Sequence, residues 1–126
     1  MQEGETIKER VKKDVNYINK EIIAEQVDGR YCKFSRLLNE VAYTRMSKEQ
    51  YFAYWTKQYK KYPKELALII KACTNKFDNT LVSRDKMIQL IRDGKDTLKS
   101  KQKYIEDIIS INSDKEALFE LEEGDD

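Results

Sequence analysis

The stretch from Tyr43 to Lys64 combines two kinds of side chain that together suit contact with a nucleic acid. Its 22 positions hold seven aromatic residues and six lysines or arginines. Lysine and arginine neutralise phosphates, and the binding free energy comes largely from released counterions. Aromatic rings can stack on exposed bases or wedge into a widened minor groove. These residue types therefore favour contact with phosphates and bases over bond-making chemistry.

Helical spacing divides the segment into two faces. Tyr51 and Trp55, with Gln58 or Tyr59, share one face and are expected in the core. Tyr54, Lys57 and Lys61 share a second face that can make contacts. We predict a contact surface between residues 45 and 76. The candidate residues are Arg45, Lys57, Lys60, Lys61 and Lys64 for phosphates, with Tyr54 and Tyr62 for bases. The alternative is that all the rings are core and the lysines are merely solvated.

No constellation in the chain resembles an active site. There is no histidine, which is the commonest general base and zinc ligand. The four glycines are far apart, so no glycine-rich phosphate loop exists, and two isolated cysteines do not make a zinc site. The acids near the C-terminus are expected to collect magnesium only weakly. We predict a protein that is not an enzyme and needs neither a metal nor a cofactor.

Charge is strongly segregated although the net charge is only +1. Residues 30–76 carry eleven Lys/Arg against three Glu, and residues 105–126 carry nine acids against one lysine. The acidic end also carries apolar groups, and its candidate partner-binding residues are Phe119, Leu121, Glu122 and Glu123. It can act as a docking peptide for a basic partner, or cover the basic segment and compete with phosphates. In a third reading, its apolar residues pack on the preceding helix and its acids are solvated.

The periodicity of apolar residues predicts an all-α protein, a compact bundle of six or seven helices. We predict one helical domain over residues 1–121 and a disordered acidic tail over 122–126. The expected helices cover residues 6 to about 27, 31–43, 47–61, 64–76, 83–92, a sixth from about 97, and a last short turn at 117–121.

Cysteine usage and hydropathy indicate a cytoplasmic protein. Cys32 and Cys73 are expected to be buried thiols in a reducing compartment, with a disulfide as the alternative. No secretory signal follows Met1, and the longest apolar stretch, residues 66–70, is far shorter than a membrane span.

Part of the basic segment resembles a known protein family. Gln50-Tyr51-Phe52, Lys57-Gln58-Tyr59-Lys60 and the run 64–69 resemble the N-terminal half of the helicase-loading proteins of T-even bacteriophages. Gly29-Arg30-Tyr31 lies at a similar distance upstream as a Gly-Lys-Tyr of that family. The resemblance covers residues 29–76 and implies an all-helical fold that binds branched DNA, a single-strand-binding protein and a helicase. The chain has about half the length of that family's members, so the resemblance implies DNA binding rather than helicase loading.

The leading functional prediction is a DNA-binding or replication-accessory protein of phage type, which acts on single-stranded or forked DNA or on a replication protein. The alternative is a small protein-interaction module, such as a phage or plasmid inhibitor of a host enzyme, that binds no nucleic acid. A third possibility is a structural helical protein that dimerises through an exposed stripe of its first helix.

Overall fold

A computed structural model describes the backbone of residues 5–124 and the side chains of residues 5–111. The described part of the chain is mixed α/β: five helices surround one three-stranded antiparallel sheet. The elements are α1 (Ile7–Lys20), β1 (Glu21–Glu25), β2 (Tyr31–Ser35), β3 (Glu40–Met46), α2 (Lys48–Gln58), α3 (Pro63–Asn79), α4 (Arg84–Asp93) and α5 (Leu98–Gly124). The predicted all-α bundle of six or seven helices is therefore wrong. The all-helical fold that the phage resemblance implies is not the fold of this chain either.

Two tight turns connect the strands into a meander. The β1–β2 turn contains Asp28 and Gly29, and Gly29 adopts a φ of 81° that lets the chain reverse. The β2–β3 turn contains Asn39 at a φ of 58°, a conformation that asparagine tolerates better than most residues. Residues 21–27, predicted to be helical, thus form β1 and the start of the β1–β2 turn. Residues 31–43, also predicted to be helical, form β2, the β2–β3 turn and the first part of β3.

Both faces of the sheet are covered by helices, and each face carries its own hydrophobic core. The first core joins α1, α2 and α3 to Ile23 of β1, and the second core joins α4 and α5 to Ile22 and Ala24. Successive residues of β1 therefore point to opposite cores, as strand geometry requires. Cys32 and Cys73 are free, buried thiols that belong to opposite cores, so the alternative of a disulfide between them is wrong.

The burial of both faces of β1 explains why this strand was predicted as part of the first helix. A strand buried on both faces has no alternation of apolar and polar residues, and the four residues Glu21 to Ala24 are all buried. Ile18 and Ile22 are also four positions apart, so the spacing of α1 continues into β1 without a visible break. Periodicity alone cannot separate such a strand from a buried helix.

Segments that flank α4 bond to one residue at each edge of the sheet. Val82 donates its backbone N–H to the carbonyl of Ile23 at 2.9 Å, beside the outer edge of β1. At the opposite edge, the carboxylate of Asp96 accepts the N–H of Val41 at 3.1 Å. These two bonds tie the ends of α4 to the sheet.

The helix starts agree with the local signals of the sequence. Thr6, Ser47 and Ser83 cap α1, α2 and α4, and Pro63 is the first residue of α3. Gly94 ends α4. Across the described residues, no helix has the length and apolar character that crossing a bilayer demands.

Candidate nucleic-acid interface

A groove of about 750 Å³ lies between α1, α2 and the β2–β3 hairpin. Its floor is the cross-strand pair of Lys33 and Tyr43. Its other lining residues are Asp14 and Tyr17 of α1, Ala42, Arg45 and Met46 of β3, and Gln50, Tyr51, Tyr54 and Trp55 of α2. The volume lies in the range of pockets that hold small ligands.

Aromatic rings dominate the groove, and two of them are open to solvent. Tyr43 and Tyr54 are each 57% exposed, an unusual degree for such large rings. Tyr54 packs edge-on against Trp55 at a centroid distance of 5.1 Å, and Tyr17 lies 6.4 Å from the same indole. The indole of Trp55 is itself buried, so it supports the rings of Tyr17 and Tyr54 from behind.

A buried carboxylate organises the floor of the groove. Glu21 accepts the phenol O–H of Tyr51 on Oε1 at 2.6 Å, and its Oε2 lies 2.7 Å from Nζ of Lys33. The ammonium of Lys33 also lies 5.3 Å and 5.5 Å from the ring centroids of Tyr43 and Tyr51. Glu21 is only 1% exposed, so its charge needs both partners. Burial, followed by the adjacent Glu21, raises the pKa of Tyr51 well above its ordinary value.

Lys76 fixes the junction at which α1 becomes β1. Its Nζ donates to the carbonyls of Asn19 and Glu21 at 3.0 Å and 2.5 Å. Burial lowers the pKa of Lys76, although the charge of Glu21 opposes that effect. These two bonds hold the backbone beside the Glu21 side chain and thereby support the groove floor.

The wall of the groove that α1 forms carries one carboxylate, that of Asp14. Asp14 accepts the phenol O–H of Tyr59 on Oδ2 at 2.6 Å, and Nε of Arg10 lies 3.7 Å from the same oxygen. The guanidinium of Arg10 also lies 4.9 Å from the ring centroid of Tyr59. Burial, followed by the hydrogen bond to Asp14, raises the pKa of Tyr59 above its ordinary value. Asp14 is therefore held in one orientation at the groove wall.

The four predicted phosphate-binding lysines lie together at the junction of α2 and α3. Lys57 is one turn beyond Tyr54 on α2, and Lys60, Lys61 and Lys64 follow in the connecting turn and the start of α3. All four are exposed, and none forms an ion pair with a carboxylate among the described residues. The C-terminus of α2 and the N-terminus of α3 meet at this junction, so the opposite ends of the two helix dipoles offset each other there.

The remaining predicted residues differ in their surroundings. Tyr54 and Arg45 line the groove together, and Arg45 lies 3.8 Å from Asp28 in an exposed ion pair. Tyr62 does not line the groove, because it is partly buried against the first core. Tyr51, Trp55 and Tyr59 are core residues, as their helical face predicts. The side chains of Phe119, Leu121, Glu122 and Glu123 lie outside the described residues.

Asp14, Tyr17 and Lys33 line the groove but were not predicted as site residues. A usable signal did exist for Lys33, since Asp28-Gly29 between apolar runs is a strong hairpin signature. Read as a hairpin, the segment places Tyr31 and Lys33 on one face of a strand. No local signal indicates that Asp14 and Tyr17 approach this strand, because their contacts are long-range.

The described side chains offer no group of three or more Cys, Asp or Glu residues that can hold a metal ion. The chain matches no protein-family model, no curated protein and no solved structure.

Proposed function

We propose that this chain is a non-enzymatic protein that binds single-stranded DNA, with bases in the aromatic groove and phosphates on the neighbouring lysines. The observation that carries the proposal is the continuity of the two features along α2. The exposed ring of Tyr54 opens onto the groove, and Lys57 follows it by one helical turn. Lys60, Lys61 and Lys64 extend the positive surface in the same direction along the chain.

The groove favours an unpaired strand over a duplex. Stacking on Tyr43 and Tyr54 needs the flat face of a base, which neighbouring bases cover in a duplex. Each base stacked on an aromatic side chain contributes about 1–3 kcal/mol, and this contribution tolerates different sequences. The lysines contribute a term that depends on salt but not on sequence. Together these groups suit a short stretch of strand that enters the groove by its bases.

A lysine substitution series tests the proposal. The variant with Lys57, Lys60, Lys61 and Lys64 all changed to Gln is expected to bind oligothymidylate more weakly than the wild type. The slope of log affinity against log salt concentration should also become flatter, by about 0.7 for each lysine that contacts a phosphate. The indole fluorescence of Trp55, the single tryptophan, reports occupancy of the groove.

The matched control changes four other exposed lysines to Gln. Lys86, Lys95, Lys99 and Lys103 lie on or beside α4 and α5, which cover the opposite face of the sheet. This control removes the same net charge, so equal losses in both variants would mean that only total charge matters. Equal losses, or a wild type that binds no oligonucleotide at low salt, would refute the proposal.

A further inference from the structure

We infer that Asp14 makes the groove selective for guanine, an inference that rests on the proposed function. A carboxylate is out of place in a site for phosphates, because it repels them. It is suited to a site that receives a base whose edge carries N–H donors. Asp14 is the one acidic residue in the lining of this groove, and Lys33, Arg45 and Gln50 are its cationic and amide neighbours there.

The geometry of Asp14 leaves it able to accept further hydrogen bonds. Its Oδ2 accepts one hydrogen bond, from Tyr59, and lies 3.7 Å from Nε of Arg10, whereas no described group donates to its Oδ1. A carboxylate offers about four lone-pair positions, so at least one on each oxygen remains unused. The side chain is 27% exposed, and its position is fixed from behind by Tyr59, which is fully buried. Asp14 thus lines the groove in a held position and keeps acceptor capacity on both oxygens, most of it on Oδ1.

Guanine is the base whose edge complements such a pair. Its N1–H and N2–H groups lie side by side and can donate to both oxygens of one carboxylate, a charge-assisted bidentate contact. Adenine and cytosine each present an amino group beside a ring nitrogen that accepts, and thymine presents one N–H between two carbonyls. Those acceptors would face the carboxylate and repel it.

The other polar groups of the groove include donors that suit the hydrogen-bond acceptors of guanine. Gln50 accepts the N–H of Ser47 on Oε1 at 2.9 Å within the capping box of α2, so its NH₂ end is the one left to donate. Lys33 and Arg45 are the cationic residues on the β-hairpin side of the groove, and each is also paired with a carboxylate outside the lining, Glu21 and Asp28 respectively. The acceptors of guanine, O6 and N7, require donors of this kind. Phosphates would remain outside, on the lysines that follow Tyr54.

The test compares oligothymidylates of about 12 nucleotides that carry one central deoxyguanosine, one deoxyinosine or only thymidine. Deoxyinosine lacks the N2 amino group and removes one of the two bonds to Asp14. We expect the wild type to bind the deoxyguanosine strand about ten-fold more tightly than the other two, which is typical of a lost charge-assisted bond. In Asp14→Asn this preference should fall to about two-fold or less, while affinity for oligothymidylate stays equal or increases.

Asp93→Asn is the matched control, since Asp93 is an exposed carboxylate on α4 at the opposite face of the sheet. It should keep the wild-type preference. A wild type that binds all three strands equally, or an Asp14→Asn variant that keeps the preference, would overturn the inference but leave strand binding intact. Free dGMP that binds as tightly as the deoxyguanosine strand would leave the guanine preference standing but would refute the proposed function, because the lysines would then contribute nothing. If no oligonucleotide binds at all, the proposed function itself fails.

Discussion

The phenol of Tyr51 donates a 2.6 Å hydrogen bond to Glu21, although the two residues are thirty positions apart and belong to α2 and β1. This bond joins the helix that carries the exposed groove residues to the strand behind them. Since Glu21 is 1% exposed, the bond lies away from water and its loss cannot be compensated by solvent.

We therefore expect Tyr51→Phe to lower the free energy of unfolding by about 1–3 kcal/mol, because it leaves a buried carboxylate oxygen without its donor. Urea denaturation followed by far-ultraviolet circular dichroism measures the change. Tyr54→Phe is the control, since it removes a phenol that is largely exposed and should change stability by less than about 0.5 kcal/mol. Equal effects of the two substitutions would contradict the proposed importance of Glu21.

The ion pair of Lys33 and Glu21 yields a second prediction. Lys33→Met leaves a buried carboxylate without its counter-charge and should cost on the order of 3 kcal/mol of stability. Glu21→Met combined with Lys33→Met removes both charges and should be less destabilised than Lys33→Met alone. If the double variant loses as much stability as the Lys33→Met and Glu21→Met single variants lose together, the two charges are not coupled.

The exposed ring of Tyr54 gives a binding prediction. Tyr54→Ala should weaken binding of oligothymidylate by about ten-fold, the value of one lost stacking contact, while the salt dependence remains unchanged. Tyr54→Phe keeps the ring and should retain near-wild-type affinity. Fluorescence titration of Trp55 is unsuited here because the substituted ring contacts the indole, so anisotropy of a labelled strand is the measurement. An alanine variant with unchanged affinity would remove Tyr54 from the interface.

Two glycines should respond to the same substitution for different reasons. A Cβ on Gly94 would lie 2.8 Å from the backbone carbonyl of Asn39, so Gly94→Ala must push α4 away from the β2–β3 turn. We expect a loss of about 2 kcal/mol from this overpacking. Gly29→Ala meets open space but keeps a φ of 81°, at a cost of about 1 kcal/mol.

Gly29→Asn should be milder than Gly29→Ala because asparagine tolerates positive φ, whereas Gly94→Asn should be no better than Gly94→Ala. Chemical denaturation of the four variants checks this order. A mild Gly94→Ala would contradict the close approach of α4 to the turn.

The buried thiols predict a fall in stability at high pH. Burial raises the pKa values of Cys32 and Cys73 from 9.0 to about 12, with Glu21 a further cause at Cys73. Above pH 9 the thiols of the unfolded chain lose their protons, while the buried thiols of the folded chain keep them. The stability that the buried thiols contribute is therefore complete below pH 9 and is lost between pH 9 and about 12. The slope is about 1.4 kcal/mol per pH unit for each thiol.

The double variant Cys32→Ala, Cys73→Ala isolates the contribution of the two thiols to this pH dependence, because other groups with shifted pKa values titrate in both proteins. The difference in unfolding free energy between wild type and double variant should shrink from pH 9 upward. A difference that is independent of pH would indicate that the thiols are not shielded from solvent.

Local chemistry in the sequence determined where α1, α2 and α4 begin and which face of α2 is buried. Thr6, Ser47 and Ser83 carry hydroxyls that accept the free N–H groups of a first helical turn, and this requires only residues three positions apart. Tyr51, Trp55 and Tyr59 share a face through helical spacing alone, and all three are buried. The exposed state of Tyr54 and Lys57 follows from the same spacing.

The tertiary structure alone decided which core each residue of β1 enters and what shape the groove has. Ile22 and Ile23 are neighbouring apolar residues, and the sequence does not show that they enter different cores, because α3, α4 and α5, which complete those cores, lie far along the chain. Asp14, Lys33 and Tyr54 likewise converge only when α1, the hairpin and α2 pack together. Local hydrogen bonding can be read from neighbouring residues, whereas burial on two faces and the lining of a groove are long-range properties of the packed chain.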